Sequence, residues 1–96
     1  MVEEGDISFK VGEDERIDYG RSISLTSEHQ QATARIDAAY EVLVVERGQG
    51  SVAYQDVVQN LSTGDRIIIP GGEEYTLRLG STPELSIVIF GVSKNF

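Results

Sequence analysis

The chain contains no cysteine and only one histidine, His29. Without cysteine it has neither a disulfide framework nor a thiolate site, so the sequence carries no record of its redox compartment. One imidazole cannot supply the several nitrogen or sulfur ligands that a soft or borderline divalent ion prefers. His29 lies in a polar stretch typical of a loop, where a lone histidine usually has no special role.

Basic residues are also scarce, with eight lysines and arginines against sixteen acidic residues. The resulting formal net charge of −8 opposes binding to phosphate backbones and to anionic lipid surfaces. The basic residues form no patch along the sequence, since they are Lys10, Arg16, Arg21, Arg35, Arg47, Arg66, Arg78 and Lys94. We therefore expect neither a nucleic-acid partner nor a membrane partner.

Long apolar runs are missing as well. The longest contain four residues, far short of the roughly 20 that a membrane-spanning helix needs. Residues 1–6 are acidic and lack the basic and apolar regions of a signal peptide, so we expect a cytoplasmic protein. With 96 residues, 40% of them hydrophobic, the chain has the size and composition of one soluble globular domain.

Short segments rich in Val, Ile, Tyr and Thr recur along the chain, and none sustains a helical period. This pattern predicts an all-β sandwich or barrel over residues 20–92, with residues 1–15 as a possible N-terminal arm. The predicted strands are 7–11, 22–26, 33–38, 41–46, 51–54, 57–61, 66–69, 75–79 and 85–92. The predicted turns between them are 19–20, 47–50, 55–56, 62–65, 70–72 and 80–83, and residues 47–50 are expected to close a hairpin.

Three of these strands are apolar at consecutive positions, within residues 42–45, 67–69 and 87–90. Alternate side chains of a strand point to opposite faces, so a strand with one face in water should alternate with polar residues. The second face of these strands must therefore be covered. A second copy of the chain is the cover we expect, giving a homodimer, and the N-terminal arm is the alternative.

Two motifs resemble those of the cupin superfamily. Residues 64–75, GDRIIIPGGEEY, resemble the second cupin motif, in which a glycine is followed by a strand and then by Pro-x-Gly. Glu41, followed after six residues by Gly48, resembles the end of the first motif, where a glutamate precedes a turn glycine. The resemblance covers residues 35–79 and implies a double-stranded β-helix, or jelly-roll barrel, in a single domain.

The chain departs from metal-bearing cupins at the histidines. Their His-x-His pair stands three or four residues before the glutamate, and those positions here hold Arg35 and Asp37, or Ala34 and Ile36. The histidine of the second motif falls on Tyr75. The resemblance therefore implies a cupin without a metal or another cofactor. A site for a hard ion made of Asp37, Glu41 and Glu74 stays open as an alternative.

Among one-domain cupins, the chain is most similar to the pyrimidine/purine nucleoside phosphorylase family. Residues 20–24 resemble its early Gly-Arg strand, residues 41–48 its central strand and turn, and residues 70–77 its Pro-Gly-x-x-Glu-aromatic-x-Leu segment. An arginine near that family's C-terminus falls on or near Val88. Cupins of the ethanolamine-utilisation type share much of the segment from Glu41 to Tyr75.

If the spacing before Glu41 is that of a continuous strand, Arg35, Asp37 and Glu41 lie on the same face of it. We therefore expect them to face the barrel interior together with Tyr75. Arg35 and Arg21 are the predicted anion-binding residues. An exposed ion pair between Arg35 and Asp37 is the alternative interpretation of those two residues.

The leading hypothesis is a metal-independent cupin that binds a nucleoside, sugar or sugar phosphate in the mouth of the barrel. The predicted ligand-binding residues share polar or charged side chains and are Arg35, Asp37, Glu41, Tyr75 and Arg21. Phosphorolysis of nucleosides is the alternative, without assigned catalytic residues. A non-catalytic dimerisation or ligand-sensing module is the third hypothesis.

Overall fold

The computed structural model describes residues 2–4, 7–9 and 14–94, with side-chain burial over 14–94. All regular structure in these ranges is β-strand, and this part of the chain forms no helix long and apolar enough to cross a membrane. The strands are β1 (Val2–Glu4), β2 (Ile7–Phe9), β3 (Glu15–Thr26), β4 (Gln31–Arg35), β5 (Tyr40–Arg47), β6 (Gln49–Tyr54), β7 (Val57–Ser62), β8 (Arg66–Pro70), β9 (Glu74–Leu79) and β10 (Glu84–Lys94).

Two antiparallel four-stranded sheets make up the barrel. The first sheet has the order β3-β10-β5-β8 and the second the order β4-β9-β6-β7. The short strands β1 and β2 pair with each other. The predicted all-β fold of two packed antiparallel sheets is confirmed. The rest of the predicted arm, residues 1, 5–6 and 10–13, lies outside the described residues.

Three local predictions are wrong. Tyr19 and Gly20 were expected in a turn, but they lie inside β3, which is 12 residues long. Residues 33–38 were expected to form one strand, but β4 ends at Arg35. The glycine-rich residues 47–50 were expected to close a hairpin, but they carry the chain from the first sheet to the second, because β5 and β6 do not pair.

The core lies between the inner faces of the two sheets. Every second residue of each long strand points inward, as period-2 geometry requires. In β8, for example, Ile67 and Ile69 are buried while Ile68, between them, is 60% exposed. The inner core of the barrel joins fully buried aliphatic side chains from both sheets, including Leu25, Leu43, Val52, Leu61, Leu77, Ile87 and Ile89.

A second apolar cluster covers the outer face of the first sheet. Val42 and Val44 of β5 pack with Val88 and Phe90 of β10, and all four are buried within one chain. Ile17 of β3 is among the side chains that pack against them. These four side chains are therefore already buried without a second copy, whereas Ile68 on the same face stays exposed.

A β-bulge in β3 allows that strand to serve both clusters. Tyr19 pairs with Gly91 of β10, but the next residue of β10, Val92, pairs with Ile17, so Asp18 is the extra residue. An extra residue reverses the alternation of side chains. Ile17 therefore joins the outer cluster, whereas Tyr19 faces the barrel interior. The Asp18 carboxylate accepts hydrogen bonds from Ser93 and from Arg16, and these bonds lower its pKa.

The chain crosses from the first sheet to the second at residues 47–50, and this crossing requires glycine at position 48. Its φ of 96° lies in the left-handed region, and a Cβ on this residue would overlap the carbonyl oxygen of Glu84. Gly64 offers a matched comparison, since its φ is 91° but a Cβ there would meet open space. We expect Gly64→Ala to lower the free energy of unfolding by about 1–2 kcal/mol through backbone strain alone.

Gly48→Ala should cost about 1–3 kcal/mol more than Gly64→Ala, because the overlap adds to the same backbone strain. Urea unfolding of the two variants measures the difference. If both variants lost the same free energy of unfolding, the backbone at Glu84 would have moved away from the new Cβ at no energetic cost. Gly48 would then not be required for the crossing.

Candidate functional site

The site is organised around Glu41, a carboxylate with 0% exposure at one end of the barrel. Glu41 lies in β5 beside Gly91 of β10 and Ile69 of β8. Residues directly opposite each other share a face of a sheet, so Glu41 points inward with the core residues of its neighbours. A buried carboxylate is costly unless hydrogen bonds and a counter-charge compensate it.

Two tyrosines supply the hydrogen bonds. The Tyr75 hydroxyl, from β9 of the opposite sheet, donates to Glu41 Oε1 at 2.6 Å. The Tyr19 hydroxyl, from β3, donates to Glu41 Oε2. Each carboxylate oxygen therefore accepts a phenol, and one of the two bonds ties the sheets together.

Arg21 supplies the counter-charge. Its Nη2 donates to the Tyr75 hydroxyl at 3.0 Å and lies 3.7 Å from Glu41 Oε2. The Tyr75 hydroxyl thus accepts from the guanidinium and donates to the carboxylate. The Arg21 side chain is 40% exposed, so it reaches from the buried carboxylate to the solvent.

The environment keeps both phenols protonated. Burial is the main cause that raises the pKa of Tyr75 and of Tyr19, and the hydrogen bond to Glu41 raises both further. A neutral phenol is the form that can donate to a carboxylate. The two tyrosines are therefore hydrogen-bond donors across the range in which proteins normally work.

A cavity of about 240 Å³ opens above this cluster. Its lining contains two arginines, two acids and one phenol: Tyr19, Gly20, Arg21, Arg35, Asp37 and Glu41. Tyr75 does not line the cavity but holds Glu41 from below through the bond described above. The five residues predicted from the sequence are thus brought together, four in the cavity wall and one beneath it.

The arrangement of these five differs from the predicted one. Arg35 and Asp37 are exposed at the rim, not inside the barrel with Glu41. The parity argument is wrong here because β4 ends at Arg35, and because Ala34 is the residue opposite Tyr75. The alternative prediction was an exposed ion pair between Arg35 and Asp37. Within the described part of the chain these two residues form no ion pair.

Sequence reasoning missed Tyr19. The signal was present, since the inward residues of β3 alternate as Tyr19, Arg21, Ile23 and Leu25. Gly20 concealed it, because a glycine after an aromatic residue in a polar region also indicates a turn. His29 lies away from the cavity, in an isolated bridge with Thr26.

The residues at this position do not fit a metal ion. In metal-bearing cupins a glutamate equivalent to Glu41 is a ligand, but its neighbours here are two phenols and a guanidinium. A guanidinium repels a cation and offers it no lone pair. Among residues 14–94 no three His, Cys, Asp or Glu side chains converge, which includes the candidate set of Asp37, Glu41 and Glu74.

A second depression, of about 330 Å³, lies toward the other end of the barrel. Gln49, Asn60, Ser62 and Ser81 contribute its polar side chains, and no charged residue lines it. It is larger than the cavity above Glu41 but lacks groups that could hold a charged ligand or a proton. The charged cavity is therefore the better candidate site.

Solved structures with the same architecture define the class of fold. A predicted oxalate decarboxylase from Thermotoga maritima superposes with a TM-score of 0.67 at 11% identity, over 81% of this chain and 67% of that one. A RmlC-like cupin with a double-stranded β-helix from Methanocaldococcus jannaschii gives 0.65 at 13% identity, over 99% and 93%. Drosophila melanogaster CENP-C, solved bound to CAL1, gives 0.66 at 16% identity, over 75% of this chain and 62% of that chain.

These likenesses establish a cupin barrel, and the sequence places the chain more narrowly. Residues 23–94 match the model of the AraC-like ligand-binding domain. The chain belongs to this family of cupin-type ligand-binding domains. No curated protein sequence matches it significantly.

The buried phenols predict how stability depends on pH. The ordinary pKa of tyrosine is 10.0, and the folded-state pKa values of Tyr19 and Tyr75 are raised above it. Above pH 10 the unfolded chain releases these protons while the folded chain retains them, so folding loses free energy as pH rises. Urea unfolding between pH 8 and pH 11 should show stability constant at first and then falling.

Tyr75→Phe should make this alkaline decline shallower, because it removes one of the retained protons, although the variant is less stable at pH 8. Absorbance at 295 nm gives the second measurement. If all four tyrosines of the folded protein ionised at the ordinary tyrosine pKa of 10.0, the result would contradict the described hydrogen bonds.

Proposed function

We propose that the chain binds a small polar ligand, a nucleoside, sugar or sugar phosphate, in the cavity above Glu41. The observation that carries this proposal is the joint placement of Arg21, Arg35 and Asp37 around one cavity whose floor is the fully buried Glu41. Burying Glu41 with two phenols and a guanidinium costs desolvation free energy. Ligand binding gives a reason for that cost, and membership of a ligand-binding family supports it.

The lining indicates the chemistry of the ligand. Arg35 and Arg21 can bind a phosphate or carboxylate, and Asp37 can accept hydrogen bonds from hydroxyl groups. A volume of about 240 Å³ is below the roughly 300–1,000 Å³ of pockets that enclose drug-sized ligands. The cavity therefore suits one sugar ring with its anionic group, and a base would extend past the open rim.

Arg35→Ala should strongly weaken binding of an anionic sugar, because it removes one of the two cations that line the cavity. Ribose 5-phosphate is the probe, with free ribose and inorganic phosphate beside it, and binding is read from the shift in Tm. Arg78→Ala is the matched control, since Arg78 is an exposed arginine of β9 outside the cavity. Protection that survives Arg35→Ala would remove Arg35 from the site.

Phosphorolysis of nucleosides is the second candidate function. It is favoured by the two arginines at one cavity, since phosphate must be held while it attacks the anomeric carbon. In that reaction an oxygen of hydrogen phosphate forms a bond to the anomeric carbon, the bond to the base breaks, and the base leaves with the proton that the hydrogen phosphate gives up. Asp37 is the acidic group at the rim that could hold the sugar hydroxyls.

The assay for this activity is direct. Purified protein is incubated with purine and pyrimidine nucleosides and phosphate, and free base is measured by chromatography. If the chain is a phosphorylase, base appears only when phosphate is present, and Arg35→Ala reduces its release. Binding of the nucleoside without release of base would leave a ligand-sensing domain as the function.

A homodimer in the cytoplasm is also part of this proposal. Ile68 on the outer face of β8 is 60% exposed, and Val58 on the edge strand β7 is 71% exposed. Exposed aliphatic residues on edge strands favour association with another strand. A dimerisation module without catalysis is the third function that these residues support.

A further inference from the structure

Two side chains compete for one oxygen of Glu41. Tyr19 and Arg21 lie two residues apart on the inner face of β3, and both approach Oε2 of Glu41. The Tyr19 hydroxyl is within hydrogen-bond distance, whereas Arg21 Nη2 is 3.7 Å away. A hydrogen-bonded arginine–carboxylate pair is normally about 2.7–2.9 Å apart. Tyr19 thus occupies the position that Arg21 would otherwise take.

Arg21 consequently keeps unused donors. Its Nη2 is held by the Tyr75 hydroxyl at 3.0 Å. The other guanidinium nitrogens, Nε and Nη1, have no hydrogen-bond partner among residues 14–94, and the side chain is 40% exposed in the cavity wall. These two nitrogens carry three free N–H donors, which can bind the oxygens of a phosphate or carboxylate.

The backbone makes room for Tyr19 in this position. A Cβ on Gly91, its neighbour on β10, would overlap the Tyr19 ring, so the ring lies across the glycine to reach Glu41 on the next strand. The bulge at Asp18 sets the face to which Tyr19 points. Bulges of this kind often redirect a side chain next to a functional site.

We propose that Tyr19 is a positioning residue that keeps Arg21 from closing onto Glu41, and so keeps the Nε and Nη1 donors of Arg21 available to the anionic group of a ligand in the cavity. The inference rests on the proposed function and adds a ligand class to it. The ligand carries a phosphate or a carboxylate that binds at Arg21, inside the rim formed by Arg35 and Asp37.

Tyr19→Phe tests the proposal, with Tyr40→Phe as the matched control. The Tyr40 hydroxyl also donates to a carboxylate, that of Glu15, but outside the cavity. Calorimetric titration with ribose 5-phosphate and with ribonate separates a phosphate from a carboxylate ligand. We expect Tyr19→Phe to weaken binding of the preferred probe roughly tenfold, since Arg21 exchanges a charged contact with the ligand for one with Glu41. Tyr40→Phe should bind as wild type.

Glu41→Gln provides the second test, because it removes the charge to which Arg21 would close while keeping the side chain's shape. In this background Tyr19→Phe should have no effect on the Kd. A tenfold loss that persists would mean that Tyr19 contacts the ligand or merely supports the fold, and the proposal would be wrong.

A crystal structure of Tyr19→Phe separates this inference from the proposed function. We expect Arg21 Nη2 to move from 3.7 Å to about 2.8 Å from Glu41 Oε2. If wild type binds neither probe but Arg21 closes in this way, the ligand assignment fails and the positioning role stands. If Arg21 stays in place, the positioning role is refuted whatever the wild-type protein binds.

Discussion

The need to compensate one buried carboxylate governs this end of the barrel. Glu41 is completely enclosed, and its two oxygens are satisfied by phenols from different strands, with a guanidinium as counter-charge. Burying a carboxylate without such partners would cost several kcal/mol. The partners come from β3 and β9, which belong to opposite sheets. The same contacts that make the carboxylate tolerable therefore also fix the two sheets relative to each other where the cavity opens.

The cluster also explains how a cupin barrel can keep its glutamate without metal-binding histidines. Metal-bearing cupins have imidazoles around a bound cation at this place. Here the positive charge belongs to an arginine side chain and cannot dissociate from the protein. Arg21 balances Glu41 from within the fold, and the tyrosines fill the remaining hydrogen-bonding positions. The interior stays polar at one end and aliphatic elsewhere, as in a small domain that must reserve most of its core for stability.

Much of the fold could be predicted from the sequence, because the strands alternate and their turns carry Gly, Pro and Asp. The glutamate and Tyr75 could be predicted because a motif marks them. Tyr19 was missed because Gly20 resembles a turn signal, although the alternation of Tyr19, Arg21 and Ile23 marks it. The need for a small residue at Gly91 became visible only with the strand pairing. The exposure of Arg35 and Asp37 was not predicted either, because the end of the strand was placed too far along the chain. The strand that holds Arg35 ends there, and alternation says nothing about residues beyond a strand's end.

The bulge at Asp18 divides β3 into two sections with separate duties. Residues before it belong to the outer cluster with Ile17, and residues after it supply Tyr19 and Arg21 to the cavity. Ile17 packs against the outer cluster without lining the cavity, so a substitution there removes no cavity residue. Selection can therefore act on the outer apolar packing and on the cavity through different residues of a single strand.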